Sequence, residues 1–109
     1  MPVKFNYDKS GLTAVISGEI DHHTAAEMRI MTDGELERSM PRTLTFDMRD
    51  VTFMDSSGVG LILGRARAMK QWGGKIRITE PPERVEKMLK LSGLAPLIAK
   101  RKGEQDKNA

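Results

Sequence analysis

The strongest constraint on the fold is an alternation between two kinds of apolar pattern along the chain. Segments with apolar residues at every second position begin near Val3, Leu12, Leu44 and Ile76, and this period is typical of half-buried strands. Between the second and third of these segments, between the third and fourth, and after the fourth, apolar residues recur every three or four positions, as on the buried face of a helix. Because strands that alternate with helices are joined by crossovers, the pattern predicts a mostly parallel sheet.

The predicted architecture is a single α/β domain, a small mixed sheet flanked by helices in the order β-β-α-β-α-β-α. The turn residues DKSG at 8–11 favour an antiparallel hairpin between the first two strands, which makes the sheet mixed. The segment LAPLIAK, residues 94–100, is compatible with a last helical turn or an edge strand. We expect the domain to span residues 1–99 and residues 100–109 to form a flexible charged tail.

The first helix is predicted to begin at Thr24, which forms a capping-box pattern with Glu27, although Asp21 is an alternative cap. Its buried face is predicted to comprise Ala25, Met28, Thr32 and Leu36. The second helix is predicted from Ser57 to Trp72. Its apolar stripe is predicted to comprise Val59, Ile62, Ala66 and Met69, and its glycines at 58, 60 and 64 would allow close backbone packing.

Composition excludes several classes of function. The formal net charge is +3, but the ten residues from Lys100 hold four cations and two anions, so the rest of the chain carries only +1. Five aromatic residues and no concentrated basic face argue against nucleic-acid binding. No apolar run reaches the length of a membrane span, no signal peptide is evident, and the absence of cysteine excludes disulfides. We therefore expect a cytoplasmic protein.

The segment TFMDSSGVGLILG, residues 52–64, holds the candidate site. Neither Ser56 nor Ser57 lies in the G-x-S-x-G pattern of a serine hydrolase, which argues against a nucleophile. Asp55 or Ser57 is suited to cap the following helix, and Gly58 belongs to the same turn. A helix N-terminus also suits a phosphate, so phosphorylation of a serine here is a third interpretation.

The adjacent residues His22 and His23 suggest metal binding, but neighbouring side chains do not share a helix face, and no further histidine or cysteine completes a site. A solvated turn is the simpler interpretation. The segment GVGLILG lacks the lysine of a phosphate-binding loop. We therefore expect no metal, no cofactor and no catalytic residue.

The segments GEIDHHTA, FDMRDVTFMDSSGVGLILGRARAMKQWGGKIRIT and LKLSGL resemble the anti-sigma factor antagonists, which are stand-alone STAS domains. The likeness covers residues 3 to about 99. It implies a non-enzymatic protein, monomeric when free, that in its unphosphorylated form binds an anti-sigma factor and so releases a sigma factor. In the family that anti-sigma factor is also a serine kinase, and a separate phosphatase reverses the phosphorylation.

Carried onto this chain, the resemblance makes Ser56 the phosphorylated residue and Ser57 its structural neighbour. It places Asp21, His22, Ser56 and Gly60 at the surface that contacts the partner. The alternative within the family is a STAS accessory subunit of a transport or signalling complex, which binds a partner protein without being phosphorylated.

Overall fold

The computed structural model describes residues 2–100, which form one four-stranded sheet packed against three α-helices. The strands are β1 (Val3–Asp8), β2 (Gly11–Ile20), β3 (Thr43–Met54) and β4 (Lys75–Thr79). The helices are α1 (His22–Ser39), α2 (Ser56–Met69) and α3 (Glu83–Leu91), and short 3-10 helices cover Lys70–Trp72 and Ala95–Leu97. The predicted order β-β-α-β-α-β-α is confirmed. The predicted tail lies outside the described residues apart from Lys100.

The strands lie in the order β1-β2-β3-β4, with β1 antiparallel to β2 and the other two pairings parallel. The sheet is therefore mixed and mostly parallel, as predicted. Because successive parallel strands are neighbours and their crossovers are right-handed, α1 and α2 lie on the same face and contact each other. The carboxyl ends of β2 and β3 consequently meet at one edge of the sheet, directly before these two helices.

The hairpin between β1 and β2 is closed by local hydrogen bonds. The carboxylate of Asp8 accepts from the backbone N–H and the hydroxyl of Ser10, at 2.8 and 2.6 Å. Gly11 follows with φ of +124°, and a Cβ there would meet the carbonyl oxygen of Thr43. This position therefore requires glycine for both its conformation and its close contact with β3.

One apolar core joins the sheet to all three helices. The predicted buried face of α1 is confirmed, since Ala25, Met28, Thr32 and Leu36 are all buried. The predicted stripe of α2 is wrong in part: Val59 and Ala66 are only half-buried. The buried residues of α2 are Gly58, Leu61, Ile62, Arg65 and Met69. The buried face of α2 is rotated relative to the predicted stripe because Gly58, which has no side chain, packs the first turn of the helix directly against Met54 and Ile20.

Some predicted boundaries need correction. The alternation in TLTFDM predicts a third strand that ends at Met48. Instead, β3 continues through the segment RDVTFM to Met54, because Val51 and Met54 are also buried. Register shifts in the β2–β3 pairing, next to Gly18, break the two-residue period that would have indicated this continuation. The last segment satisfies both alternatives in part, since a 3-10 turn precedes a parallel bridge from Ile98 to Ile78. None of the helices described is long and apolar enough to cross a membrane.

Candidate functional site

Two helix N-termini lie side by side at the carboxyl ends of β2 and β3. The last residues of these strands, Ile20 and Met54, are paired, so the next residues, Asp21 and Asp55, emerge together. The backbone N–H of Asp55 donates to the carbonyl oxygen of Ile20 at 3.0 Å. Two aspartates and two positive helix-dipole ends therefore share one small surface.

Asp55 is the N-cap of α2. Its carboxylate accepts the backbone N–H of Ser57 at 2.8 Å, and its carbonyl accepts the N–H of Gly58 at 3.0 Å. Of the two caps that the sequence left open, the structure selects Asp55 rather than Ser57. Since an N-cap carboxylate satisfies a backbone donor that the helix leaves free, Asp55 stabilises α2 by about 1 kcal/mol.

Ser56 and Ser57 differ in exposure. Ser56 is the first residue of α2 and is exposed, and its hydroxyl has no hydrogen-bond partner within residues 2–100. Ser57 is half-buried and faces α1. A group added to the hydroxyl of Ser56 therefore displaces none of the described contacts, whereas one added to Ser57 would have to enter the space between two helices.

Asp21 caps α1 through a reciprocal capping box with Thr24. The carboxylate of Asp21 accepts the backbone N–H groups of His23 and Thr24, at 3.0 and 2.9 Å, and the hydroxyl of Thr24 accepts the N–H of Asp21 at 2.9 Å. The predicted box of Thr24 with Glu27 is wrong, because α1 begins at His22 and Thr24 is already its third residue. The hydrogen bond from the Thr24 backbone is the main cause that lowers the pKa of Asp21.

A groove of about 390 Å³ separates the first halves of α1 and α2. We call it the α1–α2 groove, and its lining includes His22, Ala25, Ser57, Gly60 and Gly64. A Cβ at Gly60 or Gly64 would meet no atom of residues 2–100 within 4 Å, so close packing is the wrong explanation for these two glycines, whereas it does explain Gly58. Glycine at 60 and 64 instead leaves the groove open.

Arg65, which the sequence analysis did not single out, also lines the groove. It is only 8% exposed, its Nε lies 2.8 Å from Oδ1 of Asp33, and its Nη1 donates to the carbonyl of Leu61 at 3.4 Å. Burial lowers the pKa of Arg65, and the negative charge of Asp33 opposes that shift. The signal was available in the sequence, because a charged residue at 65 continues the face of Leu61 and Ile62.

The geometry favours recognition or modification of an exposed serine over hydrolysis. His22 and His23 are both exposed, and neither hydrogen-bonds to Ser56 or Ser57 in the described part of the chain. No group of three metal-ligating side chains occurs among residues 2–100. The groups that this surface presents for binding or modification are an exposed hydroxyl, two capping carboxylates and an open groove beside them.

Comparison with known proteins gives consistent results. The family model of the STAS domain matches residues 7–106. The anti-sigma F factor antagonist of Paenibacillus polymyxa is 32% identical over 90% of this chain and 84% of its own length. The anti-sigma factor antagonist SpoIIAA in its unphosphorylated form is 27% identical, with a TM-score of 0.82 over 93% of this chain and 89% of its own. The Bacillus cell fate determinant SpoIIAA in the phosphorylated form is 26% identical, with a TM-score of 0.74 over 93% of this chain and 92% of its own.

Proposed function

Because the chain belongs to the STAS domain family, with anti-sigma factor antagonists as relatives, we propose that it antagonises an anti-sigma factor by binding it. In its unphosphorylated form it binds an anti-sigma factor that is also a serine kinase and so releases a sigma factor. Phosphorylation of Ser56 by that kinase ends the binding, and a serine phosphatase restores it. The chain itself acts in the cytoplasm as a binding protein and a kinase substrate, not as a catalyst.

The observation that carries this proposal is that Asp55, and not a serine, caps α2. Ser56 is thereby left exposed, with its hydroxyl free of hydrogen bonds within residues 2–100. A phosphate adds about −1.5 to −2 charges, and the partial positive charge of the helix N-terminus favours an anion there. The fold should therefore tolerate a phosphate on Ser56, and the modification should act on binding.

The partner surface in this proposal consists of Asp21, His22, Ser56 and Gly60. Asp21 caps α1 beside the start of α2, and His22 and Gly60 line the α1–α2 groove. A protein that docks here would cover Ser56 and insert side chains where Gly60 leaves space. The open groove and the modifiable hydroxyl then belong to one contact surface.

In this proposal, phosphorylation prevents binding mainly because the partner would have to desolvate the phosphate. A like-charge contact between exposed groups costs only about 1 kcal/mol. Burial of a charge without a partner costs roughly 2–5 kcal/mol, about thirty-fold to several-thousand-fold in affinity. A partner that covers Ser56 must desolvate the phosphate next to the carboxylates of Asp21 and Asp55, which supplies an effect large enough to exchange partners.

The test is site mapping by mass spectrometry after incubation with ATP and the cognate anti-sigma factor. We expect the wild type to gain one phosphate, on Ser56, and the Ser56→Ala variant to gain none. The Ser57→Ala variant should gain one phosphate on Ser56, as the wild type does. Ser57→Ala is a matched control because its backbone N–H, which Asp55 binds, is retained. A phosphate on Ser57 would overturn the assignment of the site. An active kinase that binds the chain and leaves it unmodified would favour a STAS adaptor subunit.

A further inference from the structure

The outer edge of β1 has no partner strand within residues 2–100. On its inner edge, Val3 faces Ile16, and the carbonyl of Pro2 accepts the N–H of Ser17 at 3.0 Å. Hydrogen-bonded and non-hydrogen-bonded pairs alternate along an antiparallel ladder. The bond at Pro2 therefore shows that the backbone groups of the even-numbered residues of β1 bond to β2. The N–H and C=O groups of the odd-numbered residues point outward, away from β2. These outward residues are Val3, Phe5 and Tyr7.

The sequence of β1, VKFNYD, is complementary to itself when a second copy runs antiparallel about Asn6. Lys4 then lies opposite Asp8 of the second copy, and Phe5 lies opposite Tyr7 of that copy. The Phe5–Tyr7 pairs fall on the outward-facing backbone groups, so they are the hydrogen-bonded pairs. The Lys4–Asp8 pairs are the non-hydrogen-bonded ones, in which side chains approach more closely and opposite charges stabilise the pairing.

The same edge carries an open groove of about 590 Å³ between β1 and the second half of α1. Its lining is mixed, with apolar surface from Val3, Phe5, Ile30, Met31 and Gly34 and charged groups from Lys4, Glu35 and Arg38. Ile30 is 68% exposed, and a Cβ at Gly34 would meet no atom of the described residues within 4 Å. Because odd-numbered side chains of β1 point to the helix side of the sheet, Tyr7 of an added copy would cover Phe5 and reach towards Ile30.

We propose that two copies of this chain pair through the outer edges of β1, antiparallel about Asn6, to form one continuous eight-stranded sheet. The arrangement is isologous, so each contact occurs twice and the assembly closes at two copies. It departs from the free monomer that the family resemblance implies. Ile30 lies about 13 Å along α1 from Asp21, so the pairing leaves the Ser56 surface accessible and does not depend on the function proposed for it.

Cysteine cross-linking tests the register directly, because the chain has no cysteine of its own. In this register, two copies of residue 6 form a non-hydrogen-bonded pair with Cα atoms about 4.5 Å apart, within the range of a disulfide. Two copies of residue 4 would be about 13 Å apart. We expect mild oxidation of the full chain to cross-link Asn6→Cys and not Lys4→Cys, as read by intact mass. Equal cross-linking of these two exposed positions would overturn the proposal.

Sedimentation over a concentration series tests the interface without added cysteines. We expect the wild type to shift from the mass of one chain to that of two. Tyr7→Pro should abolish this shift, because it removes an outward N–H that donates across the proposed interface. The fold of the single chain should tolerate proline there, because position 7 lies on an edge strand and its N–H points away from β2. Tyr7→Phe should preserve the shift. Lys4→Glu should raise the dimer dissociation constant about tenfold by creating two like-charge contacts. Lys9→Glu, with the same charge change opposite Val3, should change it less. A wild-type monomer at every concentration up to that used for cross-linking would refute the pairing.

Discussion

The backbone N–H of Asp55 donates to the carbonyl of Ile20 at 3.0 Å, which ties the start of α2 to the last residue of β2. Since Asp21 follows Ile20 directly, this bond also brings the caps of α1 and α2 together. Both carboxylates are engaged by backbone N–H groups, so they stabilise helices and still present negative charge at the surface. An added phosphate on Ser56 therefore enters a site whose helix dipoles accept it and whose neighbouring carboxylates resist its desolvation.

Substitutions at Ser56 should separate binding from stability. Ser56→Ala should fold, bind the anti-sigma factor and resist inactivation by the kinase, because the side chain is exposed and makes no hydrogen bond within residues 2–100. Ser56→Asp should keep the thermal midpoint of the wild type and bind at least about tenfold more weakly, because docking must desolvate a carboxylate. Calorimetric titration and thermal unfolding of both variants are the measurements. A large loss of thermal stability in Ser56→Asp would indicate a structural serine instead.

Two alanine substitutions in the same helix should have opposite effects on stability. At Gly58 a Cβ would overlap the side chain of Met54 and lie 3.2 Å from Cγ2 of Ile20, so Gly58→Ala should destabilise the fold by about 1–3 kcal/mol. At Gly60 the space is open, and Gly60→Ala should stabilise it by about 0.5–1 kcal/mol through helix propensity.

Denaturant unfolding of the two glycine variants measures the stability effects, and partner binding adds a second readout. Gly60→Ala should bind the anti-sigma factor more weakly although its fold is more stable, because the added methyl group enters the α1–α2 groove. Gly34→Ala is the control, because Gly34 lies in open space in the second half of α1 and outside the α1–α2 groove. Unchanged binding in Gly60→Ala would remove Gly60 from the contact surface.

The sequence predicted the parts of the fold that depend on local periodicity. The order of the elements and the buried face of α1 follow from spacing within single segments, and Met28 and Leu36 lie where the period places them. The second half of β3 was missed because register shifts beside Gly18 change the spacing at which Val51 and Met54 turn inward. Those shifts depend on pairing between distant segments and leave no periodic signal.

For the site, motif reading located the segment but not its geometry. The choice of Asp55 as cap, and the contact between Asp55 and Ile20, depend on the register that pairs Ile20 with Met54. No local pattern encodes that register. The resemblance alone supplied the roles of Ser56, Asp21, His22 and Gly60, and those roles stay predictions.

The acid limb of the stability curve should depend on Asp21. Hydrogen bonds, chiefly from the Thr24 backbone, lower its pKa in the folded state. The carboxylate therefore contributes stability above its unfolded pKa of about 4, and that contribution is lost as the pH falls through the lower folded value. Asp21→Asn keeps a capping side chain that does not titrate. Its thermal midpoint should lie below that of the wild type at pH 7, and the difference should shrink below about pH 4. A constant difference from pH 7 to pH 3 would contradict this account.

A buried hydroxyl in α1 offers a gain in stability. Thr32 is 1% exposed, and its Oγ1 has no hydrogen-bond partner among residues 2–100. Because valine has the same shape and no polar group to desolvate, Thr32→Val should stabilise the fold by about 1 kcal/mol, raising the thermal midpoint by about 4–8 °C.

The matched control for that gain is Thr24→Val in the same helix. The hydroxyl of Thr24 donates to the carbonyl of Glu19 at 2.8 Å and accepts the N–H of Asp21 at 2.9 Å. Its removal leaves both backbone groups without these partners, so Thr24→Val should lower the thermal midpoint while Thr32→Val raises it. The two substitutions are chemically identical, so helix propensity cancels between them and the sign depends only on whether the hydroxyl is bonded. A loss of stability in Thr32→Val as large as that in Thr24→Val would show that the hydroxyl of Thr32 has a partner in solution.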